Sequence, residues 1–253
     1  MLEKTVAAMK NKKDILLMTH IVLGSPSFEE SYRIVETMVE AGVDLMELQI
    51  PFSDPVADGP VILSANQEAL ANGSTVERCL EFGRRVAADF PIPFLFMSYC
   101  NILYRRGFVP FAREMAEAGI KGAIVPDLPP EEGADYLEAM GRFGMDPIFI
   151  FTPTTSDERM RYLGRTGKGF IYCVARKGIT GEETDFSGTI SAYLGRCRAA
   201  TTLPLAVGFG VKERSDIEFL RGKADVAVIG TQSIRVYREE GHSALGAFLK
   251  GIR

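Results

Sequence analysis

Glu47 and Asp58, eleven residues apart, are the acids whose setting best suits proton transfer. Residues 45–50 alternate in polarity, so Glu47 shares one strand face with Gln49. A carboxylate inside such a strand is costly to desolvate unless it is paired or lines a polar cavity. Asp58 follows in a loop flanked by prolines, beyond the end of the strand. The sequence therefore predicts an acid/base centre at the mouth of this strand.

The acids outside the strand have other interpretations. Asp54 and Asp58 lie in a proline-rich loop, where aspartate also forms turns or caps helices. Asp127 follows another apolar run, and its position is compatible with a third acid in the site or with a cap for the next helix. All three therefore stay candidates with a structural alternative.

Eight short apolar runs are separated by amphipathic segments, of which 28–41, 110–118 and 130–143 show helical spacing. The runs are 15–23, 45–50, 93–99, 122–127, 147–152, 169–175, 205–210 and 226–231. Strands that alternate with helices imply right-handed crossovers and a parallel sheet. Runs that are apolar on both faces suit a sheet covered on both sides. The sequence predicts an α/β fold, a single (β/α)8 TIM barrel domain over residues 1–253.

The main alternative is a Rossmann-like sheet. It is disfavoured because the first run ends without a GxGxxG fingerprint, and because an open sheet of eight strands leaves two edges to protect. Two segments interrupt the regular alternation. Residues 61–71 predict an extra helix after the second strand, and 175–188 predict a long mobile loop after the sixth. In a barrel, both lie on the face that carries active sites.

Glycine-bearing turns follow the sixth, seventh and eighth runs, at 177–181, 208–210 and 230–231. Glycine lets backbone N–H groups approach an oxyanion, and helices beginning near 211 and 232 would add the positive ends of their dipoles. Any one turn alone is compatible with a tight strand-to-helix connection. Their shared position after the last strands, where TIM barrels commonly bind phosphate, favours a phosphate site.

The composition of the chain disfavours several classes of protein. The net charge is -4 and the basic residues are scattered, which is not typical of nucleic-acid binding. The N-terminus lacks an apolar signal segment and no run approaches the length of a membrane span, so we expect a cytoplasmic protein without membrane partners. The four cysteines lack CxxC spacing and there are only two histidines, so we expect reduced thiols and no metal site.

Three further side chains are candidates with a plainer alternative. Tyr99 ends the third run and Tyr172 lies in the sixth, where each would form a wall of the site or pack in the barrel. His20 lies in an apolar strand, which is more typical of a core histidine than of a catalyst.

The chain resembles the alpha subunit of tryptophan synthase over essentially its full length. The resemblance rests on Glu47-Leu48, 51–55 with 57–60, 126–129, 178–181 and 208–210. It implies a (β/α)8 lyase that reversibly cleaves indole-3-glycerol phosphate into indole and glyceraldehyde 3-phosphate. It also implies an α2β2 complex with a beta subunit that carries pyridoxal phosphate, and no metal or organic cofactor in this chain.

By this resemblance, Glu47 matches the general acid/base, and Asp58 matches the carboxylate that accepts the indole N–H. The remaining candidates are substrate-binding positions. Tyr99 matches a wall of the indole pocket, Tyr172 and Thr180 match positions near the glycerol part and the mobile loop, Gly181, Gly210, Gly230 and Thr231 match the phosphate-binding backbone, and Asp127, His20 and Gln49 complete the set.

The sequence departs from the family pattern within the site. Gln49 replaces a usual glycine, and we expect it to narrow the pocket or to hydrogen-bond the general acid. His20 replaces a usual aromatic or apolar residue, Ala175 a usual serine, and Thr231-Gln232 a usual serine-alanine. These changes leave two alternatives: a barrel aldolase that acts on another phosphorylated substrate or without a partner, and a catalytically weak regulatory subunit. Two carboxylates that are costly to desolvate, both at the mouth of the predicted barrel, argue against the regulatory subunit.

Overall fold

Eight parallel strands close into a barrel in this computed structural model, which describes residues 2–175 and 186–253. Each strand pairs with the next along the chain, and the eighth pairs with the first. The strands are β1 Leu16–Val22, β2 Leu45–Gln49, β3 Phe94–Met97, β4 Gly122–Ile124, β5 Asp146–Phe151, β6 Ile171–Val174, β7 Leu205–Gly208 and β8 Val226–Ile229. The closed barrel confirms the predicted fold. Most strands end before the predicted run does, because the chain there passes into the loops of the site.

Helices follow the strands and cover the outside of the barrel. Within the described residues they are α1 Leu2–Lys10, α2 Phe28–Glu40, α3 Pro60–Ala71, α4 Val76–Asp89, α5 Cys100–Arg106, α6 Phe108–Glu117, α7 Ala134–Arg142, α8 Asp157–Thr166, α9 Phe186–Ala200, α10 Arg214–Leu220 and α11 Thr231–Gly251. The extra helix predicted after the second strand is α3, which begins at a proline. Proline suits that position, since the first helical N–H has no intrahelical partner.

The period-two pattern of β2 separates two buried layers. Leu45 packs with the apolar cluster inside the barrel, whereas Met46 and Leu48 pack with the cluster between the barrel and its helices. Glu47, of the same parity as Leu45, therefore points into the barrel, as predicted. The lower part of the interior is closed by α1, because Leu2 and Val6 join the inner cluster. The sequence pattern did not predict this helix.

Two helical predictions need correction, and one loop prediction is not tested. The helix predicted from 130 begins at Ala134, because residues 128–133 form successive turns, such as the bond from the Glu132 N–H to the Pro129 carbonyl. The helix expected near 211 begins at Arg214, after reciprocal side-chain caps between Glu213 and Asp216. The predicted mobile loop after the sixth strand falls largely on residues 176–185, outside the described chain.

Candidate active site

A cavity of about 230 Å³ opens at the carboxyl end of the barrel. It brings together most of the residues that the sequence singled out: its walls include His20, Glu47, Asp58, Tyr172, Gly210, Gly230 and Thr231. Apolar side chains complete the wall, among them Ile62, Met97, Ile124, Ile150 and Val228. The mixture suits a ligand with a flat apolar part and a few polar groups.

Glu47 and His20 form a buried pair on adjacent strands. The ladder between β1 and β2 places them side by side, and Nδ1 of His20 lies 3.2 Å from Oε1 of Glu47. Each residue is 4% exposed. Their other polar atoms, Nε2 of His20 and Oε2 of Glu47, have no hydrogen-bond partner among the described residues. The pair thus satisfies half of its polar atoms internally and leaves the other half for a ligand.

The charge on Glu47 governs the titration of His20. Burial is the largest single effect and favours the neutral imidazole. The neighbouring Glu47 charge, its hydrogen bond and the Asp58 charge together outweigh burial, so the pKa of His20 is raised above its usual 6.5. A proton is therefore held on His20 more strongly than on a free imidazole.

Asp58 is held by two donors that use the same carboxylate oxygen. Nε2 of Gln49 donates to Oδ2 of Asp58 at 2.6 Å, and the Tyr99 hydroxyl donates to it at 3.0 Å. The expected bond from Gln49 to the general acid is therefore wrong: Gln49 bonds Asp58, and His20 pairs with Glu47. Burial raises the pKa of Asp58 above its usual value, while the Gln49 and Tyr99 hydrogen bonds and the His20 charge oppose that rise.

Asn66 on α3 is a site-supporting residue that the sequence pattern did not single out. Its side chain is fully buried, and its Oδ1 accepts from the Phe52 N–H at 2.9 Å and from Gln49 Nε2 at 3.4 Å. Its Nδ2 donates to the Ile62 carbonyl at 2.9 Å. An amide between the buried alanines 65 and 69 was the available signal, since buried polar groups need partners.

Tyr99 packs in the barrel and, like Gln49, is not among the residues that line the cavity. Its ring is fully buried in the inner cluster and stacks on Phe52, with ring centroids 5.2 Å apart. Its hydroxyl oxygen accepts from the Ala57 N–H at 3.2 Å while the hydroxyl donates to Asp58. Burial and the Asp58 charge raise the pKa of Tyr99, so the phenol keeps its proton. Tyr99 therefore joins the barrel core to the loop that carries Asp58.

The glycine turns after β7 and β8 line another part of the cavity. Gly210 has a φ of +88°, a conformation that favours glycine. Gly230 is the N-cap of α11, and Thr231 is its first residue. Two exposed cations, Lys212 and Arg235, also line the cavity here, and the sequence pattern did not single them out. This end of the cavity thus combines backbone donors, a helix N-terminus and positive charge.

The position of Tyr172 accounts for the glycine at position 208. It projects from β6 into the cavity, and a Cβ atom added at Gly208 would lie 3.1 Å from its hydroxyl. Glycine at 208 therefore makes room for the tyrosine. Burial, followed by the charges of Glu47 and Asp58, raises the pKa of Tyr172 well above its usual value, so it remains a neutral donor.

Asp127 lies apart from the other candidates. It is not among the residues that line the cavity, and its Oδ1 accepts from the Cys100 N–H at 2.8 Å, at the start of α5. It thus caps a helix, although one that follows β3 and not the next helix along the chain. Thr180 and Gly181 lie outside the described residues.

Two features, a metal-binding cluster and a membrane-spanning helix, are absent from residues 2–175 and 186–253. No group of three or more His, Cys, Asp or Glu side chains is arranged to hold a metal ion. In the same ranges, no helix is both long and apolar enough to cross a bilayer.

Sequence relatives agree with this geometry. The family model described as tryptophan synthase alpha chain matches residues 6–247. A tryptophan synthase alpha chain from Syntrophotalea carbinolica is 60% identical over 253 residues, covering all of both chains. One from Desulforapulum autotrophicum is 61% identical over 252 residues, again covering all of both.

Solved structures extend the likeness to the fold. The alpha subunit from Legionella pneumophila is 31% identical with a TM-score of 0.88, covering 99% of this chain and 96% of that one. A chain of tryptophan synthase from M. tuberculosis is 28% identical with a TM-score of 0.90, covering 99% and 96%. The family match spans nearly the whole barrel and includes every strand that builds the cavity. This chain belongs to the tryptophan synthase alpha chain family.

Proposed function

We propose that this chain cleaves indole-3-glycerol phosphate into indole and glyceraldehyde 3-phosphate, in the biosynthesis of tryptophan, with Glu47 and Asp58 as its working acids. One observation carries the assignment of these residues: both carboxylates line one cavity, and the glycine turns after β7 and β8 line another part of it. A substrate with an indole at one end and a phosphate at the other matches that division. The lyase is favoured over the alternative substrate and the regulatory subunit by family membership along the chain.

Glu47 supplies the proton transfers. The retro-aldol cleavage needs a proton delivered to indole C3 and another removed from the adjacent side-chain hydroxyl. The C–C bond then breaks, its electron pair returns to the indole ring, and the hydroxyl carbon becomes an aldehyde. Oε2 of Glu47 is buried without a partner among the described residues, so it is available to a substrate atom.

Asp58 stabilises the charge that develops on the ring. Protonation at C3 makes the indole nitrogen positive, and a carboxylate that accepts its N–H lowers the energy of that intermediate. The donors from Gln49 and Tyr99 both occupy Oδ2, which leaves Oδ1 to face the ring nitrogen. Because those donors favour the charged form, they keep Asp58 suited to this task.

The phosphate binds at the part of the cavity that the glycine turns line. Backbone N–H groups near Gly210, Gly230 and Thr231 receive its oxygens, and the N-terminus of α11 adds a favourable dipole. Lys212 and Arg235 contribute positive charge from the rim. Since both cations are exposed, their contribution weakens with added salt.

A beta subunit is the proposed partner, in an α2β2 assembly in the cytoplasm. Solved neighbours from M. tuberculosis and Pyrococcus furiosus are tryptophan synthase complexes. Val56, two residues from Asp58, is 81% exposed, and a partner at the mouth would cover it. In this proposal, pyridoxal phosphate is bound by the beta subunit, and the alpha chain works with its own side chains.

The test uses the purified chain and indole-3-glycerol phosphate, with and without a beta subunit from one of the relatives. We expect indole and glyceraldehyde 3-phosphate in equal amounts, released faster in the complex. A mixture without protein sets the background. If the unaltered chain releases indole no faster than this mixture, the chain is not a lyase; if it is faster than the mixture but no faster than Glu47→Gln, Glu47 is not the general acid/base. A second assay, growth of a tryptophan auxotroph that lacks its alpha subunit, checks the same activity in cells.

A further inference from the structure

We propose that His20 and Glu47 act as one acid/base unit that shares a proton, so that His20 sets the pH range over which the chain releases indole. This inference rests on the proposed function and adds a second proton carrier to it. The family resemblance gives no such task to position 20, and an apolar strand is typical of a structural histidine. The argument therefore depends on the geometry of the pair.

The geometry gives each member one internal and one outward atom. Nδ1 of His20 and Oε1 of Glu47 face each other at 3.2 Å. By strict hydrogen-bond geometry, Nε2 of His20 and Oε2 of Glu47 are buried without a partner among the described residues, although a hydrogen bond with Gln49 contributes to raising the pKa of His20. Both side chains line the cavity. A histidine that served only the core would have its second nitrogen satisfied by the protein, because an unpaired buried donor is costly. The two unused atoms thus form a donor and an acceptor at one wall.

The surrounding charges favour the ion pair. Among the described residues, the charged and titratable groups that line the cavity with His20 are Glu47, Asp58, Tyr172, Lys212 and Arg235. Glu47 and Asp58 raise the pKa of His20 against the effect of its burial, and Tyr172 remains neutral. Lys212 and Arg235 lie at the exposed phosphate end, where solvent screens them. In the proposed unit, His20 carries a proton on each nitrogen and Glu47 is ionised.

This protonation state divides the two proton transfers between two groups. Nε2 of His20 delivers its proton to indole C3, and Oε2 of Glu47 takes the proton of the hydroxyl. The electron pair of the broken C–C bond returns to the ring, and the O–H pair forms the aldehyde C=O. The unit ends as neutral imidazole and carboxylic acid. Transfer of one proton from Glu47 to His20, through solvent that refills the cavity, restores the starting pair.

The first experiment measures the protonation of His20 directly by nitrogen NMR of the imidazole ring. The chain has only two histidines, and His242 lies on α11, bonded to Thr37 and Glu30. A His242→Gln background therefore leaves one imidazole signal, and we expect it to titrate above 6.5. Adding Glu47→Gln removes the opposing charge, so burial should dominate and the pKa of His20 should fall by one unit or more. An unchanged pKa would overturn the proposal, whether or not the chain is a lyase.

The second experiment compares the pH profiles of kcat for the unaltered chain and His20→Asn. The asparagine amide can still donate toward Glu47 but cannot titrate. In the unaltered chain, activity should fall as the pH rises through the raised pKa of His20, because the shared proton is lost. In the variant, Glu47 must carry the proton alone, so this alkaline limb should move to lower pH by about one unit or more. If His20→Asn lowers kcat but leaves the alkaline limb of the pH profile at the same pH, His20 only positions Glu47.

These two experiments separate the inference from the proposed function. A folded, unaltered chain that releases no indole would refute the lyase assignment, and the NMR titration would still decide whether the pair shares a proton. Suppose that the unaltered chain has lyase activity, that His20→Asn keeps the alkaline limb of the kcat profile at the same pH, and that Glu47→Gln leaves the pKa of His20 unchanged. The lyase assignment would then stand, and the shared proton would be refuted. The Glu47→Gln titration also covers the case in which His20→Asn fails to fold.

Discussion

Glu47 and Asp58 reach the same cavity by different physical means. Glu47 lies in β2, where ladders to β1 and β3 fix its backbone on both sides. Asp58 lies in the loop between β2 and α3, where side chains of Gln49 and Tyr99 hold its carboxylate. The strand acid is thus placed by backbone hydrogen bonds, and the loop acid is placed by side chains from two other elements.

This difference decides how each acid responds to change. Substituting Glu47 removes a functional group and leaves the ladder in place, because backbone pairing does not use the side chain. Asp58 has a second vulnerability, since its position depends on groups that do no chemistry themselves. Loops near active sites commonly combine function with such local dependence. The predictions below test the contrast in order of expected effect.

The largest effect is expected for Glu47→Gln. The amide keeps the shape of the side chain but cannot exchange a proton, so kcat should fall about 10²- to 10⁴-fold, the usual contribution of a general acid/base. Thermal unfolding should change little, because the β2 ladder is intact. Near-normal turnover in the folded variant would contradict the assignment of Glu47.

Asp58→Asn should be milder but still severe. It removes the negative charge that stabilises the ring nitrogen and keeps an acceptor, and loss of such electrostatic stabilisation costs about 10²-fold in kcat. Steady-state kinetics at saturating substrate measure this directly. Asp54→Asn is the matched control, since Asp54 lies in the same loop and is exposed. Equal losses in both variants would indicate a loop defect in place of a catalytic one.

Gln49→Met tests whether Asp58 depends on its donors. Methionine fills a similar volume without the hydrogen bond, and a bond to a charged group is worth about 1.5–3 kcal/mol, so kcat/KM should fall about 10- to 150-fold. Burial already raises the pKa of Asp58 and the Gln49 bond opposes that rise, so the variant should raise it further. The reaction needs ionised Asp58. The pH below which activity is lost should therefore be higher in the variant than in the unaltered chain. If the acid limb of the pH profile is the same in Gln49→Met as in the unaltered chain, Gln49 contributes packing and not a hydrogen bond that matters to Asp58.

The same contrast explains what the sequence predicted and what it did not. Period-two alternation correctly placed Glu47 and Gln49 on the inner face of β2, because strand geometry fixes side-chain direction. It did not predict that Gln49 bonds Asp58, since a loop can bring its residues to a strand in many ways. The identity of the helix that Asp127 caps and the support given by Asn66 were not predicted for a related reason: both depend on contacts between elements distant in the chain.

The smallest effects on rate are expected for the residues that hold the loop, where Asn66→Ala and Tyr99→Phe should have different local consequences. The Phe52 N–H donates to Asn66, and the Ala57 N–H donates to Tyr99. Hydrogen exchange at Phe52 should therefore speed up in Asn66→Ala while Ala57 changes less, and the reverse should hold in Tyr99→Phe. Asn66→Ala removes the acceptor of the Phe52 N–H, and Tyr99→Phe removes the acceptor of the Ala57 N–H together with the donor to Asp58. Loss of one neutral hydrogen bond to an amide costs about 0.5–1.5 kcal/mol, so exchange at that amide should rise about tenfold at most.

Substrate and a beta partner should slow exchange at both amides, because a loop that closes over its ligand excludes water. In Asn66→Ala, this protection should be reduced at Phe52 and retained at Ala57, since Tyr99 still holds the second half of the loop. If either variant speeds exchange equally at both positions, the loop opens as one unit and its two anchors are not independent. Asp58 would then depend on the whole loop, and the contrast with Glu47 would be sharper than these contacts alone indicate.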